Sequence, residues 1–222
     1  MEYTLTRSKR KTIALYVRNG AVEVRAPLRV AKAEINRFAE SKQAWIEKRL
    51  TQSVEFAESR TAFTVNFGDT VTYRGKEYRV VGVPGKKICF DDCFCLPANL
   101  PPEQVKSACA QLYRFLAKRD LTTKTLEFAA KMGVRPTAVK INGAVTRWGS
   151  CSAKKSINFS WRLIMADDDV IDDVVVHELA HIIEMNHSSR FWAIVGDVLP
   201  DYKERREKLR VLQAKLNAEE WE

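Results

Sequence analysis

His177, Glu178 and His181 stand in the order His-Glu-Leu-Ala-His, and His187 follows six residues later, so all three histidines of the chain fall within eleven residues. Two imidazoles four residues apart on a helix share one face and lie about 6 Å apart along its axis, close enough for both to bind one zinc ion at about 2.0–2.1 Å. Glu178 lies about 100° round from His177, where it cannot readily share that ion. It can reach a water bound to the ion and take its proton, as the general base of a zinc peptidase does. The spacing separates ligands from base.

A catalytic zinc takes three protein ligands and keeps a fourth position open. His187 is the strongest candidate for the third ligand. The helix is expected to end at Met185-Asn186, because Asn tolerates the left-handed conformation that stops a helix, and Ser188 or Ser189 can cap the next one. His187 then lies in the turn. Glu184 is one rival, but it stands about 10 Å along the axis from His177, a place better suited to orienting an imidazole or to solvent. Cys151 is the other, since peptide deformylases pair such a helix with an upstream cysteine. A closed structural zinc is disfavoured, because no pair of cysteines lies nearby at a finger-like spacing. For the developing oxyanion, Tyr202 and Arg147 are the candidate donors.

The elements that must hold these residues are legible in outline. Ile171, Val175, Val176, Leu179, Ile182 and Ile183 fall on the helix face opposite the histidines. Asp167, Asp168, Asp169, Asp172 and Asp173 crowd its start, where carboxylates meet free N–H groups and the positive end of the dipole. Before it, residues 139–146 and 157–164 read as two strands of a hairpin around Ala153-Lys154-Lys155, with Ile157, Phe159, Trp161 and Leu163 on one face. Trp148-Gly149-Ser150-Cys151 reads as a tight bend with an aromatic plug. A long helical stretch opens at Pro101-Pro102 and stops at Gly133. Upstream, a hairpin turns at Asn19-Gly20, helical spacing follows over 31–56, and strands return over 62–96 with turns at Gly68-Asp69, Gly75 and Pro84-Gly85. After the motif, a helix over 188–198, a break at Pro200 and a charged C-terminal helix complete the chain. The expected fold is α+β, with a zincin-type catalytic domain over 101–222 and a β-rich portion with one helix over 1–100.

Composition narrows the function classes. The chain has 222 residues, 45% of them hydrophobic, with only 9 Gly and 7 Pro, which excludes disordered and collagenous material. No apolar run approaches the length of a membrane span, and the charged start has no apolar stretch behind it, so a cytoplasmic protein with no membrane partner is expected. Five cysteines agree with a reducing compartment, and Cys89, Cys93 and Cys95 read as strand thiols rather than a second metal site. The net charge of +9 is unevenly spread: residues 101–166 carry 12 basic and 3 acidic side chains, residues 167–200 one basic and 8 acidic. A surface bearing Lys118, Arg119, Lys124, Lys154 and Lys155 could meet DNA, or could be solvated.

Several stretches together resemble the YgjP-like metallopeptidases, a group related to the SprT-like proteins. They are Thr146-Arg147-Trp148-Gly149-Ser150-Cys151-Ser152, Trp161-Arg162-Leu163, Val175 to His181, Asn186-His187-Ser188, Phe191-Trp192 and Pro200-Asp201-Tyr202. The N-terminal hairpin and the Trp45-Ile46 helix resemble that family's start. The resemblance implies a zincin-type fold, zinc held by His177, His181 and His187, Glu178 as catalytic base, and protein or peptide substrates. Through the eukaryotic relative Spartan, which degrades proteins crosslinked to DNA, it also brings in a DNA-associated role by analogy. Two other classes stand beside a zinc peptidase: a zinc amidohydrolase that is not a peptidase, and a nucleic-acid-binding protein with a secondary metal site.

Overall fold

The computed structural model describes residues 2–18, 20–51, 63–217 and 219–221. The chain divides into two compact units, Met1–Phe63 with Ala218–Glu220, and Thr64–Asn217 with Trp221–Glu222. The expected division at residue 100 and this one differ in which side holds the strands between 64 and 100.

The first unit is built on a sheet of order β1-β3-β2, from β1 (Thr4–Ser8), β2 (Ala14–Arg18) and β3 (Ala21–Pro27). β2 and β3 pair as the expected hairpin, while β1 runs parallel to β3. Asn19 of the expected turn lies outside the described residues. So do residues 52–56 of the expected helix and residue 62 of the expected strand region. Val22, Val24 and Ala26 alternate inward along β3, and Ile35 and Ala39, one turn apart on α1 (Lys32–Glu40), close over them. A second helix, α2, covers residues 43–51, so the helical stretch is divided at Ser41. There the hydroxyl bonds the Phe38 carbonyl, offering the backbone an alternative to the next turn.

The second unit opens with β4 (Thr70–Tyr73), β5 (Lys76–Val83), β6 (Cys89–Phe90) and β7 (Phe94–Pro97), ordered β4-β5-β7-β6. Arg74 and Gly75 join β4 to β5 with φ of 50° and 74°, the positive pair of a tight hairpin turn. α3 (Pro102–Met132) is one unbroken helix. Pro102 needs no N–H in the first turn, and Gly133 stops the helix in the left-handed region at φ 65°. Tyr113 of α3 stacks on Trp161 at 5.5 Å, and Trp221 stands edge-on to both, forming the aromatic centre of this unit.

The expected hairpin of 139–146 with 157–164 does not form. β8 (Ala138–Asn142) runs parallel to β10 (Ser156–Ser160), and the antiparallel neighbour of β10 is the short β9 (Gly149–Cys151), giving the order β8-β10-β9. After β8 the Asn142 side chain takes the N–H of Ala144, an Asx turn that leads the chain out of the sheet before it returns as β9. The turn at 153–155 therefore joins β9 to β10. The strand alternation also stops early. Trp161–Met165 is a 3-10 turn whose side chains, Trp161 and Leu163 included, are buried.

The helix that carries His177 follows as α4 (Asp168–Ala180), then α5 (Ser189–Val198) and α6 (Tyr202–Asn217). The β4–β5 turn clamps the start of α4. Arg74 forks onto both carboxylate oxygens of Asp168 at 2.7 Å, its N–H bonds the Ile164 carbonyl, and a Cβ on Gly75 would fall 1.7 Å from Asp167 Oδ1. Among the described residues, six helices and three small sheets make an α+β fold, consistent with a zincin-type domain. Among the described residues no helix is long and apolar enough to cross a membrane.

Candidate metal centre

α4 is buried nearly all round, through Val170, Ile171, Val174, Val175, Val176 and Leu179, so its backbone is fixed where the histidines project. It ends at Ala180, five residues before the expected Met185. Ile182 and Ile183 donate to the carbonyls three residues back, a tightened last turn that leaves His181 at the C-cap. Glu184 does orient an imidazole, but through its backbone. His181 Nδ1 lies 3.2 Å from the Glu184 carbonyl oxygen, while the Glu184 carboxylate accepts from the N–H of Asn186. Donation from Nδ1 fixes the tautomer that turns a lone pair on Nε2 toward a metal.

The ligand atoms of His177, His181 and His187 all lie within 4.8 Å of one another. Nε2 of His177 and Nε2 of His187 are 3.0 Å apart, close to the roughly 3.3 Å edge of a tetrahedron with zinc–nitrogen bonds of about 2.05 Å. A proton can join two such nitrogens, whereas a cation joins three, so this donor set fits a metal. Burial drives His177 down to about 3 and lowers His181 as well, keeping both in the neutral form that ligates. The third imidazole is delivered by the cap of α5, where Ser188 accepts the N–H of Phe191 as expected. The fully buried Phe191 ring lies 4.9, 4.6 and 4.8 Å from the three imidazoles, and Trp192 stacks on His187 at 5.7 Å. In sequence these two aromatics stand out only as part of the family resemblance. The local signal for them is their place directly after the cap that follows His187.

Glu178 is 5% exposed, and its Oε2 makes no hydrogen bond among the described residues. Desolvation pushes its carboxyl up to about 7, and the nearby Arg147 charge opposes this. A buried carboxylate oxygen without a partner among the described residues, on the residue next to His177, fits a metal site, where it would be available to accept a proton. Its other contact is Gly149 of β9. A Cβ there would lie 2.6 Å from Oε1, 2.7 Å from Cγ and 2.8 Å from Cδ of Glu178. The tight bend read from Trp148-Gly149 is thus also the seat of the carboxylate, a long-range approach that no local pattern announces.

The remaining candidates are distributed as follows. Cys151 is outside the group of converging ligand atoms; its thiol bonds the Ser152 carbonyl, and burial and then the Glu178 charge raise its pKa. Tyr202 stacks on Trp192 at 5.4 Å, which places it one ring away from His187. Of the basic residues considered for DNA, Lys118 donates to the Val139 carbonyl, Arg119 pairs with Asp120, and Lys124 pairs with Asp172 at 2.6 Å.

No curated protein matches this chain. Among solved structures it is similar to the metallopeptidase zymogen of Pyrococcus abyssi abylysin, with 22% identity over 41% of this chain and 92% of that one and a TM-score of 0.39. The pattern that defines the YgjP-like metallopeptidase domain matches residues 11–211, most of the length, and the chain therefore belongs to the YgjP-like metallopeptidases.

Proposed function

We propose that this metallopeptidase holds one zinc ion through His177, His181 and His187 and cleaves peptide bonds with Glu178 as general base. The observation that carries the reading is the convergence of three imidazoles beside the partnerless Oε2 of Glu178. Zinc, when bound, acts as a Lewis acid and brings a water's pKa toward neutrality. The chain's own groups supply the rest. Glu178 takes a proton at its carboxylate and returns it to the leaving amine, with Gly149 keeping that carboxylate in place and Phe191 bracing the imidazoles. Arg147, whose charge reaches Glu178, is the better candidate for steadying the oxyanion, and Tyr202 acts through Trp192. In this reading the catalytic machinery belongs to residues 101–222.

Protein or peptide substrates follow from the peptidase family. A deformylase-like amidohydrolase is the weaker reading, because Cys151 stands outside the converging set. A DNA-associated role is also weaker, since Lys118, Arg119 and Lys124 make internal contacts. All five cysteines are free, which suits the cytoplasm. The deciding experiment loads chelated protein with zinc and follows an unfolded protein substrate by mass spectrometry. Peptide products that vanish on chelation and return with stoichiometric zinc are expected. Release of small acyl groups without backbone cleavage would replace the peptidase reading with the amidohydrolase.

A further inference from the structure

A groove of about 490 Å³ lies between Trp148 and one face of α6, lined there by Lys203, Arg206, Glu207, Arg210 and Gln213. Lys203, Arg206 and Arg210 stand three and seven residues apart, which brings them within about 60° of one another round the helix. The wall therefore presents three cations to one carboxylate. Glu207 is paired with Arg210 at 2.7 Å, which leaves the excess charge toward Lys203 and Arg206.

Both walls connect directly to the reacting centre. Trp148 precedes Gly149, against which the Glu178 carboxylate is seated. Opposite, the Arg206 guanidinium lies 4.5 Å from the centre of the Trp192 ring, and that ring stacks on His187. A guanidinium stacked on an indole keeps its in-plane N–H donors directed past the ring edge, a geometry matched to a carboxylate. Neutral or basic side chains gain little there.

We infer that this groove is a substrate subsite that takes an acidic side chain of the peptide, adjacent to the bond being cleaved. The inference rests on the peptidase reading above and adds the substrate class. Exposed ion pairs taken singly are weak, but two or three cations converging against an indole face favour an acidic over a neutral side chain by about tenfold.

The test uses internally quenched peptides, identical except for Asp, Asn or Lys at one position on either side of the scissile bond. At one position the zinc-loaded protein should favour Asp over Asn about tenfold in kcat/KM. The double variant Lys203→Glu with Arg210→Glu should reverse the order of Asp and Lys there. Equal cleavage of Asp and Asn peptides at every position overturns the subsite and leaves the peptidase standing. If no peptide is cleaved, the peptidase reading falls, and binding still decides the groove. A labelled Asp peptide should bind the Glu178→Gln protein more tightly than its Asn counterpart at low salt, and lose that advantage in the charge-reversed background. Equal binding overturns the inference. So does a single-stranded oligonucleotide that binds through the same two cations more tightly than the Asp peptide, which would make the groove a polyanion site.

Discussion

The three histidines between the last turn of α4 and the start of α5 and the three cysteines of the β6–β7 hairpin are both short clusters of side chains that can bind metal, and burial acts on their members in opposite directions. Desolvation disfavours whichever form is charged. For His177 and His181 it favours the neutral imidazole, the form that donates a lone pair to a metal. For Cys95 it favours the thiol, pushed up to about 12, and a thiol must lose its proton before it ligates. The sulfurs of Cys93 and Cys95 lie 3.1 Å apart, and the Cys93 thiol donates to the Asp91 carbonyl. Closeness in sequence is shared by both clusters. What separates them is whether packing leaves lone pairs converging or protons satisfied.

The sharpest way to break this comparison is elemental analysis of His177→Ala or His187→Ala beside a triple variant with Cys89, Cys93 and Cys95 changed to Ser. The histidine variants should lose nearly all bound zinc and all activity, since two remaining ligands hold the ion poorly. The cysteine variant should keep one zinc per chain. The reverse pattern would mean that burial does not select the site.

Glu178→Gln should retain zinc and lower kcat by about 10²–10⁴-fold, because the amide keeps the shape but cannot accept a proton. Activity within a few-fold of wild type removes Glu178 as base. A smaller loss, about 10–100-fold, is expected for Gly149→Ala, whose methyl must displace the Glu178 side chain while the metal stays. Adding Glu178→Asp, which shortens the displaced side chain, should cost less in that background than in wild type. Strict additivity would separate Gly149 from the carboxylate.

The smallest effect concerns Asp173, a second carboxyl of α4 that burial pushes up, here to about 6 and with one oxygen partnerless. Because its folded pKa lies above the unfolded value, its stabilising contribution is complete below about pH 4 and is lost as pH rises through about 6, on the order of 2 kcal/mol. Asp173→Asn should therefore be the more stable protein at pH 8 and lose that advantage by pH 4 in urea unfolding. A gap independent of pH would place the effect in packing.

The helix that carries His177 was legible because its period is local. His177, Glu178 and His181 are fixed relative to one another by one turn, and Pro102 and Gly133 mark the ends of α3 by their own backbone preferences. What escaped depends on partners distant in sequence. Alternation identified β10 but could not say that β8 lies parallel to it, because period two is blind to direction. The end of α4 moved to Ala180 through a change from four-residue to three-residue hydrogen bonding, invisible in residue type. Asn186 therefore does not stop the helix, although His187 still falls in the turn. Gly149 looks like any bend glycine until a glutamate 29 positions later packs on it.

Phe191 follows His187 by four residues and touches all three imidazoles, so the third histidine and the ring that braces it arrive on one segment. Neither can be placed without docking the start of α5, whose buried Val195 carries the same helix into the core. If His187 is the third ligand, as proposed, metal uptake and the docking of that segment are linked equilibria. Any free energy gained from the ion also holds the helix down, and anything that loosens the helix is felt as weaker metal binding. With that ligand set, limiting metal is expected to divide the protein into docked and undocked populations, with activity following the docked one.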